Sequence, residues 1–242
     1  MAQVHNSMER ASGEPAACLL SEVCTDFSPV TPSREEIHRY LGYAKGAAPA
    51  LRLASRIEQI IDEVRPCVSG RAAFAIYGVT KHSRNSLAFG RVSITGQVSE
   101  FMKSADRISV FVATIGDEIS KRAAEARKQG DSFAEWIIDA YGSCAVEATT
   151  DALMGRIQRH ARKGEALTLR YSPGYCGMSI DQQQALFRLV SADAVGVKLL
   201  PSMLMYPLKS VSGIVGLGPK DAVTAYRSPC DTCDRVGCHM RR

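Results

Sequence analysis

Three short segments rich in Phe, Ile and Val occur between residues 72 and 116, with the sequences AAFAIYGV, SLAFGRVSI and RISVFVATIG. Gly, Ser and Asn separate them, which is typical of β-strands joined by turns. Further strand-like segments, ALTLRY and SVSGIVGLG, lie towards the C-terminus. Because the strands occur in clusters and not in strict alternation with helices, the sequence predicts an α+β fold with a mixed, largely antiparallel sheet packed with helices.

Helices are predicted on both sides of the first strand cluster. Ser33 and Glu36 form a capping-box pattern that marks the start of one helix. A second helix has apolar residues at helical spacing up to Val64 and ends before Pro66. After the cluster, residues 117–128 have acidic residues first and basic residues last, an order that suits the helix dipole.

The longest predicted helix starts at Ser132, with Glu135 as its capping-box partner. Its middle contains four small residues in a row, GSCA at positions 142–145, with Glu147 shortly after them. Small residues allow either tight packing against another helix or the close approach of a ligand, and the sequence leaves both interpretations open. Glu147 is accordingly either a solvated carboxylate or an acidic group beside a ligand.

Composition limits the class of protein. The 242 residues are 45% hydrophobic and 23% charged, and the net charge of +5 comes from scattered Lys and Arg, which argues against a nucleic-acid partner. No apolar run approaches the roughly 18 residues that a membrane span needs, and the N-terminus lacks a signal-peptide pattern. We therefore expect a cytoplasmic protein with no membrane partner, whose eight cysteines are thiols or ligands and not disulfides.

Three regions are predicted along the chain. Residues 1–30 lack hydrophobic periodicity and are predicted to form a flexible N-terminal arm. Residues 31–225 contain the predicted helices and strands and are expected to form one domain. Residues 226–242 form a Cys-rich C-terminal tail.

The tail contains a candidate metal site. Cys230, Cys233 and Cys238 have C-x2-C-x4-C spacing, and His239 follows them. A two-residue gap allows two thiolates to bind one metal ion. These cysteines are predicted to hold zinc or an iron–sulfur cluster, completed by His239 or by a partner's group. The alternative is a flexible basic tail with free thiols.

The segment RYSPGY, residues 170–175, combines residue types that suit a small zwitterionic ligand. Arg170 ends a predicted strand and offers a guanidinium that can hold a carboxylate through two hydrogen bonds. Pro173 and Gly174 favour a turn, and Gly174 lets a ligand lie close to the backbone. Tyr175 supplies an aromatic face suited to a flat base or a sulfonium. The alternative is a structural turn with an Arg salt bridge.

Three segments together resemble a known family. RYSPGY looks like the Arg-x-x-x-Gly-Tyr motif of the S-adenosylmethionine-binding activation domain of cobalamin-dependent methionine synthase. MYPLKSVSG, residues 205–213, is similar to a second segment of that family, and GSCAVEATTD places Glu147 where the family has a ligand-contacting glutamate. The segments occur in the family's order, so the chain is identified as a stand-alone form that resembles this activation domain in fold.

The resemblance implies the residues of a binding site for the cofactor S-adenosylmethionine. Arg170 is expected to hold the ligand's carboxylate, and Glu147 to be an acidic partner. Ser172 is expected to supply backbone contacts, Gly174 to permit close approach, and Tyr175 to pack on the ligand. The chain is expected to lack the family's methyltransferase and corrinoid-binding modules, so we expect the cobalamin to come from a partner.

The resemblance also implies a role and partners. The chain is expected to be an activation subunit that supports reductive methylation, and hence reactivation, of a corrinoid held by a methionine synthase core or another corrinoid-binding methyltransferase. An electron-donor protein of the flavodoxin or ferredoxin type would be the second partner. The alternative is a non-catalytic sensor or assembly partner in a corrinoid methyl-transfer pathway.

Overall fold

The computed structural model describes residues 17–27, 31–44 and 46–223. The strands in these residues are β1 (Cys18–Phe27), β2 (Gly70–Ser83), β3 (Ser86–Phe89), β4 (Val92–Thr95), β5 (Arg107–Thr114), β6 (Glu165–Tyr171), β7 (Lys198–Leu199), β8 (Met205–Tyr206) and β9 (Ser210–Pro219). The α-helices are α1 (Arg34–Tyr40), α2 (Leu51–Val64), α3 (Val98–Phe101), α4 (Glu118–Lys128), α5 (Ser132–Gln158), α6 (Gln183–Phe187) and α7 (Lys220–Val223). Short 3₁₀ turns occur at Arg65–Cys67, Ile180–Gln182 and Asp193–Val195.

One seven-stranded sheet organises the fold. Its order is β4-β3-β2-β5-β9-β6, and β1 pairs with the first half of β2, beside β3. Every ladder of the described strands is antiparallel, including the separate β7–β8 hairpin. The predicted α+β class with a largely antiparallel sheet is therefore confirmed.

The two faces of the sheet contribute to different hydrophobic clusters. Along β2, Ala72, Phe74 and Ile76 point to the face that α5 covers, whereas Ala73 and Ala75 point to the opposite face. This alternation follows from the two-residue period of a strand. All eight residues of β5 are buried because both faces at the centre of the sheet are covered.

Two packing groups cover these faces. The C-terminal half of α5 packs directly on the sheet, and its N-terminal half packs with α1, α2 and α4 in a helical cluster. On the opposite face lie α3, α6 and the Asp193–Val195 turn. In the described part of the chain, no helix has both the length and the hydrophobicity that crossing a bilayer requires.

The prediction of a flexible N-terminal arm over residues 1–30 is wrong for residues 18–27, because these residues form β1. β1 pairs with β2 from Cys18 to Phe27. Its Glu22 binds Arg156 at 3.0 Å, and the His160 ring nitrogen lies 3.3 Å from the same carboxylate. β1 is mostly exposed and therefore has no apolar periodicity. The prediction of a flexible arm rested on that lack of periodicity. Residues 1–16 and 28–30 lie outside the described residues.

Helix ends show where local sequence signals were sufficient. The Ser33 side chain accepts a hydrogen bond from the Glu36 amide, so the first predicted cap is confirmed. The predicted capping box at Ser132 is wrong, because Asp131 caps α5 by accepting from the Ala134 amide at 2.8 Å. Glu135 instead pairs with Arg127 of α4.

Candidate functional site

A β-bulge in β6 determines which way Arg170 points. Leu167 pairs with Leu217 of β9, but Arg170 pairs with Val215, so β6 has one extra residue between the two pairs. One extra residue reverses the side-chain alternation beyond the bulge. As a result Arg170 shares the face of Leu167, which is the face covered by α5, and Tyr171 packs on the opposite face.

Arg170 bridges two carboxylates of α5. Its Nη2 donates to Glu147 Oε2 at 2.5 Å, and its Nη1 donates to Asp151 Oδ1. The two acids are four residues apart and therefore lie one turn apart on the same side of the helix. Burial lowers the pKa of Arg170, but the two carboxylates raise it more, so the net shift is upward and the charge is held.

The turn after β6 presents a glycine and a tyrosine to solvent. The Ser172 carbonyl accepts a hydrogen bond from the Tyr175 amide at 3.2 Å, and the Gly174 amide donates to the Met178 carbonyl at 2.7 Å. Gly174 has φ +92°, a left-handed conformation that favours glycine. Pro173 is buried beneath the turn, and the Tyr175 side chain is 70% exposed. An exposed ring next to an open backbone leaves room for a flat ligand.

Helix α1 lies beside the same part of α5. Burial, followed by the charge of Glu147, raises the pKa of Tyr40 to about 12. Burial also raises the pKa of the Cys144 thiol to about 12, with Glu36 of α1 as the next contribution. Both groups stay protonated near neutral pH, so the carboxylates of Glu147 and Asp151 provide the negative charge beside Arg170.

The second motif, residues 205–213, attaches to α5 and to β6. Lys209 Nζ lies 2.7 Å from Asp139 Oδ1 and 2.9 Å from Ser143 Oγ, both on α5. At the other end, Gly213 packs against the neighbouring strand so closely that a Cβ would overlap the carbonyl oxygen of Tyr171. The motif therefore fixes the distance between β9 and the strand that carries Arg170.

The small-residue segment of α5 is explained by packing. A Cβ at Gly142 would lie 2.6 Å from Ile119 of α4 and 3.2 Å from Lys209. Cys144 and Ala145 are buried in the helical cluster. Of the two interpretations that the sequence left open for these residues, tight helix packing is the one that the geometry supports.

The structure brings some of the predicted site residues together. Arg170 and Glu147 are in direct contact, and Ser172, Gly174 and Tyr175 follow on the adjoining turn. In the described part of the chain, no side-chain hydrogen bond or ion pair joins Ser172 or Tyr175 to Glu147.

Asp151 was missed as a partner of Arg170. It stands at the end of the segment GSCAVEATTD, and its position four residues after Glu147 was the available signal.

The predicted metal ligands Cys230, Cys233 and Cys238 lie outside the described residues. Within residues 17–27, 31–44 and 46–223, no group of three or more His, Cys, Asp or Glu side chains could hold a metal ion. The five cysteines of this part, Cys18, Cys24, Cys67, Cys144 and Cys176, are all free thiols.

Comparisons with known proteins agree with this architecture. A family model described as vitamin B12 dependent methionine synthase, activation domain, matches residues 92–225, more than half of the chain. Among solved structures, the crystal structure of the MetH reactivation domain bound to AdoHcy matches with a TM-score of 0.65 at 15% sequence identity, covering 88% of this chain and 82% of that chain. Among curated proteins no match is found. The family match contains Glu147, Arg170 and the turn that follows Arg170.

Proposed function

The chain belongs to the family of vitamin B12-dependent methionine synthase activation domains, and we propose that it binds S-adenosylmethionine and supports reductive methylation of a corrinoid held by a partner methyltransferase. The partner is a methionine synthase core or a related corrinoid protein. The solved reactivation domain that it resembles was crystallised with AdoHcy, which has the same adenosyl and amino-acid parts as S-adenosylmethionine.

The observation that carries the proposal is the position of Arg170. The β6 bulge directs its guanidinium to the α5 side of the sheet, beside the turn that presents Gly174 and Tyr175. A partly buried guanidinium can hold an amino-acid carboxylate through two charge-assisted hydrogen bonds. Arg170 therefore suits the methionine end of the ligand, with Glu147 as the acidic group beside it.

The turn suits the rest of the ligand. The exposed Tyr175 ring offers an apolar and electron-rich face, which is attractive to an adenine ring or to a sulfonium cation. Gly174 leaves no side chain between the ligand and the backbone, and the nearest atom to a Cβ there would be 3.7 Å away on Ile180. The Ser172 backbone lies at the start of the same turn.

A surface that includes the start of the second motif suits a protein partner. Leu204, Tyr206 and Leu208 are 57%, 48% and 61% exposed, and they follow one another along the β7–β8 hairpin and the segment after it. Exposed apolar side chains in a group are typical of a protein-interaction surface. We assign this surface to the corrinoid-binding partner, with the electron donor acting on that partner.

The contribution of this chain is positioning. S-adenosylmethionine supplies the methyl group, and the partner's corrinoid accepts it. The residues of this chain hold the amino-acid end of the methyl donor and orient the sulfonium towards the partner, which reduces the entropic part of the barrier. A general acid or base is not required for this role.

Two measurements test the proposal. Titration calorimetry should detect S-adenosylmethionine binding to the isolated protein, without consumption of the ligand. Methyl transfer should then appear only when a corrinoid protein and a low-potential reductant are both present. Absence of binding, or methyl transfer to a small organic acceptor, would contradict the proposal. Binding without any transfer to corrinoid proteins would favour a sensor or assembly role.

A further inference from the structure

Arg170 is paired with two carboxylates in this structure. Glu147 and Asp151 each accept a hydrogen bond from a different terminal nitrogen of its guanidinium. A ligand carboxylate would be the third carboxylate around a single positive charge. The three carboxylates would lie close together at one guanidinium, and like charges repel more strongly in a partly buried position than in water. One of the two resident carboxylates is therefore expected to leave when the ligand binds.

Asp151 is the carboxylate that can leave at the lower cost. Its side chain is 60% exposed, whereas that of Glu147 is 27% exposed. In the described part of the chain, Arg170 is the only hydrogen-bonding or ion-pairing partner of the Asp151 side chain. A released Asp151 can be hydrated at once, but a released Glu147 would remain partly desolvated, and unpaired buried charge is costly.

We propose that Asp151 is an internal competitor for the ligand's carboxylate: it occupies Arg170 in the free protein and is displaced when an amino-acid carboxylate binds. This inference rests on the proposed S-adenosylmethionine site and adds a residue that sets its affinity. Asp151 holds the guanidinium in position while no ligand is bound. It also makes binding selective for ligands whose own carboxylate competes successfully for the arginine.

The test compares two ligands on two proteins. The ligands are S-adenosylmethionine and decarboxylated S-adenosylmethionine, which keeps the adenosine, the sulfonium and the amine but lacks the carboxylate. Asp151→Asn keeps the shape of the side chain and removes its charge. We expect this variant to bind S-adenosylmethionine roughly two- to fivefold more tightly than the unsubstituted protein, the upper part of the range for loss of an exposed ion pair. Its affinity for the decarboxylated ligand should stay within about twofold.

Two further variants control the comparison. Asp151→Glu retains the competing charge and should bind S-adenosylmethionine no more tightly than the unsubstituted protein. Asp193→Asn removes an exposed carboxylate in the turn that packs on the opposite face of the sheet, so it reports the effect of net charge alone. Its affinity should be unchanged. Thermal unfolding of each variant shows whether the fold is intact.

Other outcomes overturn the inference in distinguishable ways. If Asp151→Asn weakens binding of both ligands, Asp151 holds the ligand's amine and is not a competitor. If the variant binds S-adenosylmethionine with unchanged affinity, Asp151 stays in place and the inference is wrong, while the proposed function stands. If neither protein binds S-adenosylmethionine, the proposed function fails and the inference fails with it. Binding by Asp151→Asn alone would support the competitor role strongly.

Discussion

The Thr168 hydroxyl accepts a hydrogen bond from the Gly216 amide at 2.9 Å, at the place where β6 has one residue more than β9. This side-chain acceptor replaces the backbone acceptor that a regular ladder would supply. Thr168→Val keeps the shape but leaves the amide unpaired, so we expect the free energy of unfolding to fall by about 1–2 kcal/mol. S-adenosylmethionine affinity should fall as well, because the bulge directs Arg170 towards α5.

Urea unfolding and calorimetry measure the two effects of Thr168→Val. Thr80→Val is the matched control, since Thr80 is an exposed strand threonine whose hydroxyl donates to the Ala88 carbonyl. Thr80→Val should lower the free energy of unfolding less than Thr168→Val does, and its S-adenosylmethionine affinity should be unchanged. Equal losses in both variants would show that the Thr168 bond does not support the bulge.

Removing Arg170 should weaken S-adenosylmethionine binding more than any other single substitution in the site. Arg170→Ala deletes the cation that we assign to the ligand's carboxylate, and it leaves Glu147 and Asp151 to repel that carboxylate. We expect a loss of roughly 2–4 kcal/mol in S-adenosylmethionine binding free energy by calorimetry. Arg84→Ala, at an exposed β2–β3 turn, is the control for the loss of positive charge. Unchanged affinity for Arg170→Ala would remove the residue from the site.

Gly213→Ala should destabilise the sheet beside the site. The added Cβ would overlap the carbonyl oxygen of Tyr171 and approach the Phe111 ring at 3.0 Å. Overpacking of this kind costs about 1–3 kcal/mol in the free energy of unfolding, which urea denaturation measures. Gly78→Ala is the control, because a Cβ at that strand glycine would meet no atom within 4 Å. Equal stability of the two variants would mean that β6 moves aside without cost.

The attachment of β1 should depend on pH through Glu22. The hydrogen bond from Arg156 lowers the pKa of Glu22, against the opposing effect of burial, and His160 faces the same carboxylate. A lowered folded-state pKa gives stability that is present above the unfolded value, 4.5, and is lost as the pH falls through the folded-state pKa.

Glu22→Gln should therefore reduce stability at pH 7 by at most about 1 kcal/mol, since the pair is partly exposed. The difference from the unsubstituted protein should shrink as the pH falls below about 4.5. Hydrogen exchange of the β1 amides at several pH values would locate the effect. A difference that stays constant down to the acid range would exclude the Glu22 carboxylate as its cause.

The C-terminal cysteines remain a proposal for a metal site. Cys230, Cys233 and Cys238 can supply three thiolates, with His239 or a partner group as the fourth ligand. Anaerobic purification should yield zinc, or iron with a visible absorption band, and substitution of the three cysteines by serine should remove the metal. A protein without either metal, whose three thiols all react freely, would exclude the site without affecting the proposed S-adenosylmethionine site.

Sequence patterns predicted the elements whose signals are local. The Ser33 cap, the apolar stripe ending at Val64 and the Phe-, Ile- and Val-rich segments of β2 and β5 depend on residues close together in the chain, and the structure has them all. β1 was missed because an exposed strand is held by pairing with β2 and by Glu22, and neither depends on its own hydrophobicity.

The arrangement of the candidate site residues was predicted in part. Motif resemblance indicated Arg170 and Glu147, and the structure places them in contact. The bulge that turns Arg170 towards α5 is a property of the pairing between β6 and β9. The sequence of one strand alone does not predict that pairing. Asp151 was missed because its contact with Arg170 depends on which side of α5 faces the sheet.

Helix α5 forms ion pairs with three segments that are far apart in the sequence: Asp139 with Lys209, Glu147 and Asp151 with Arg170, and Arg156 with Glu22. From Asp139 to Arg156 these contacts cover roughly 25 Å of a helix that rises about 1.5 Å per residue. In mechanical terms α5 is a rigid helix that ion pairs attach to the rest of the fold at three positions along its axis. A force that slides it along its axis therefore acts on the N-terminal strand, the arginine strand and the second motif together.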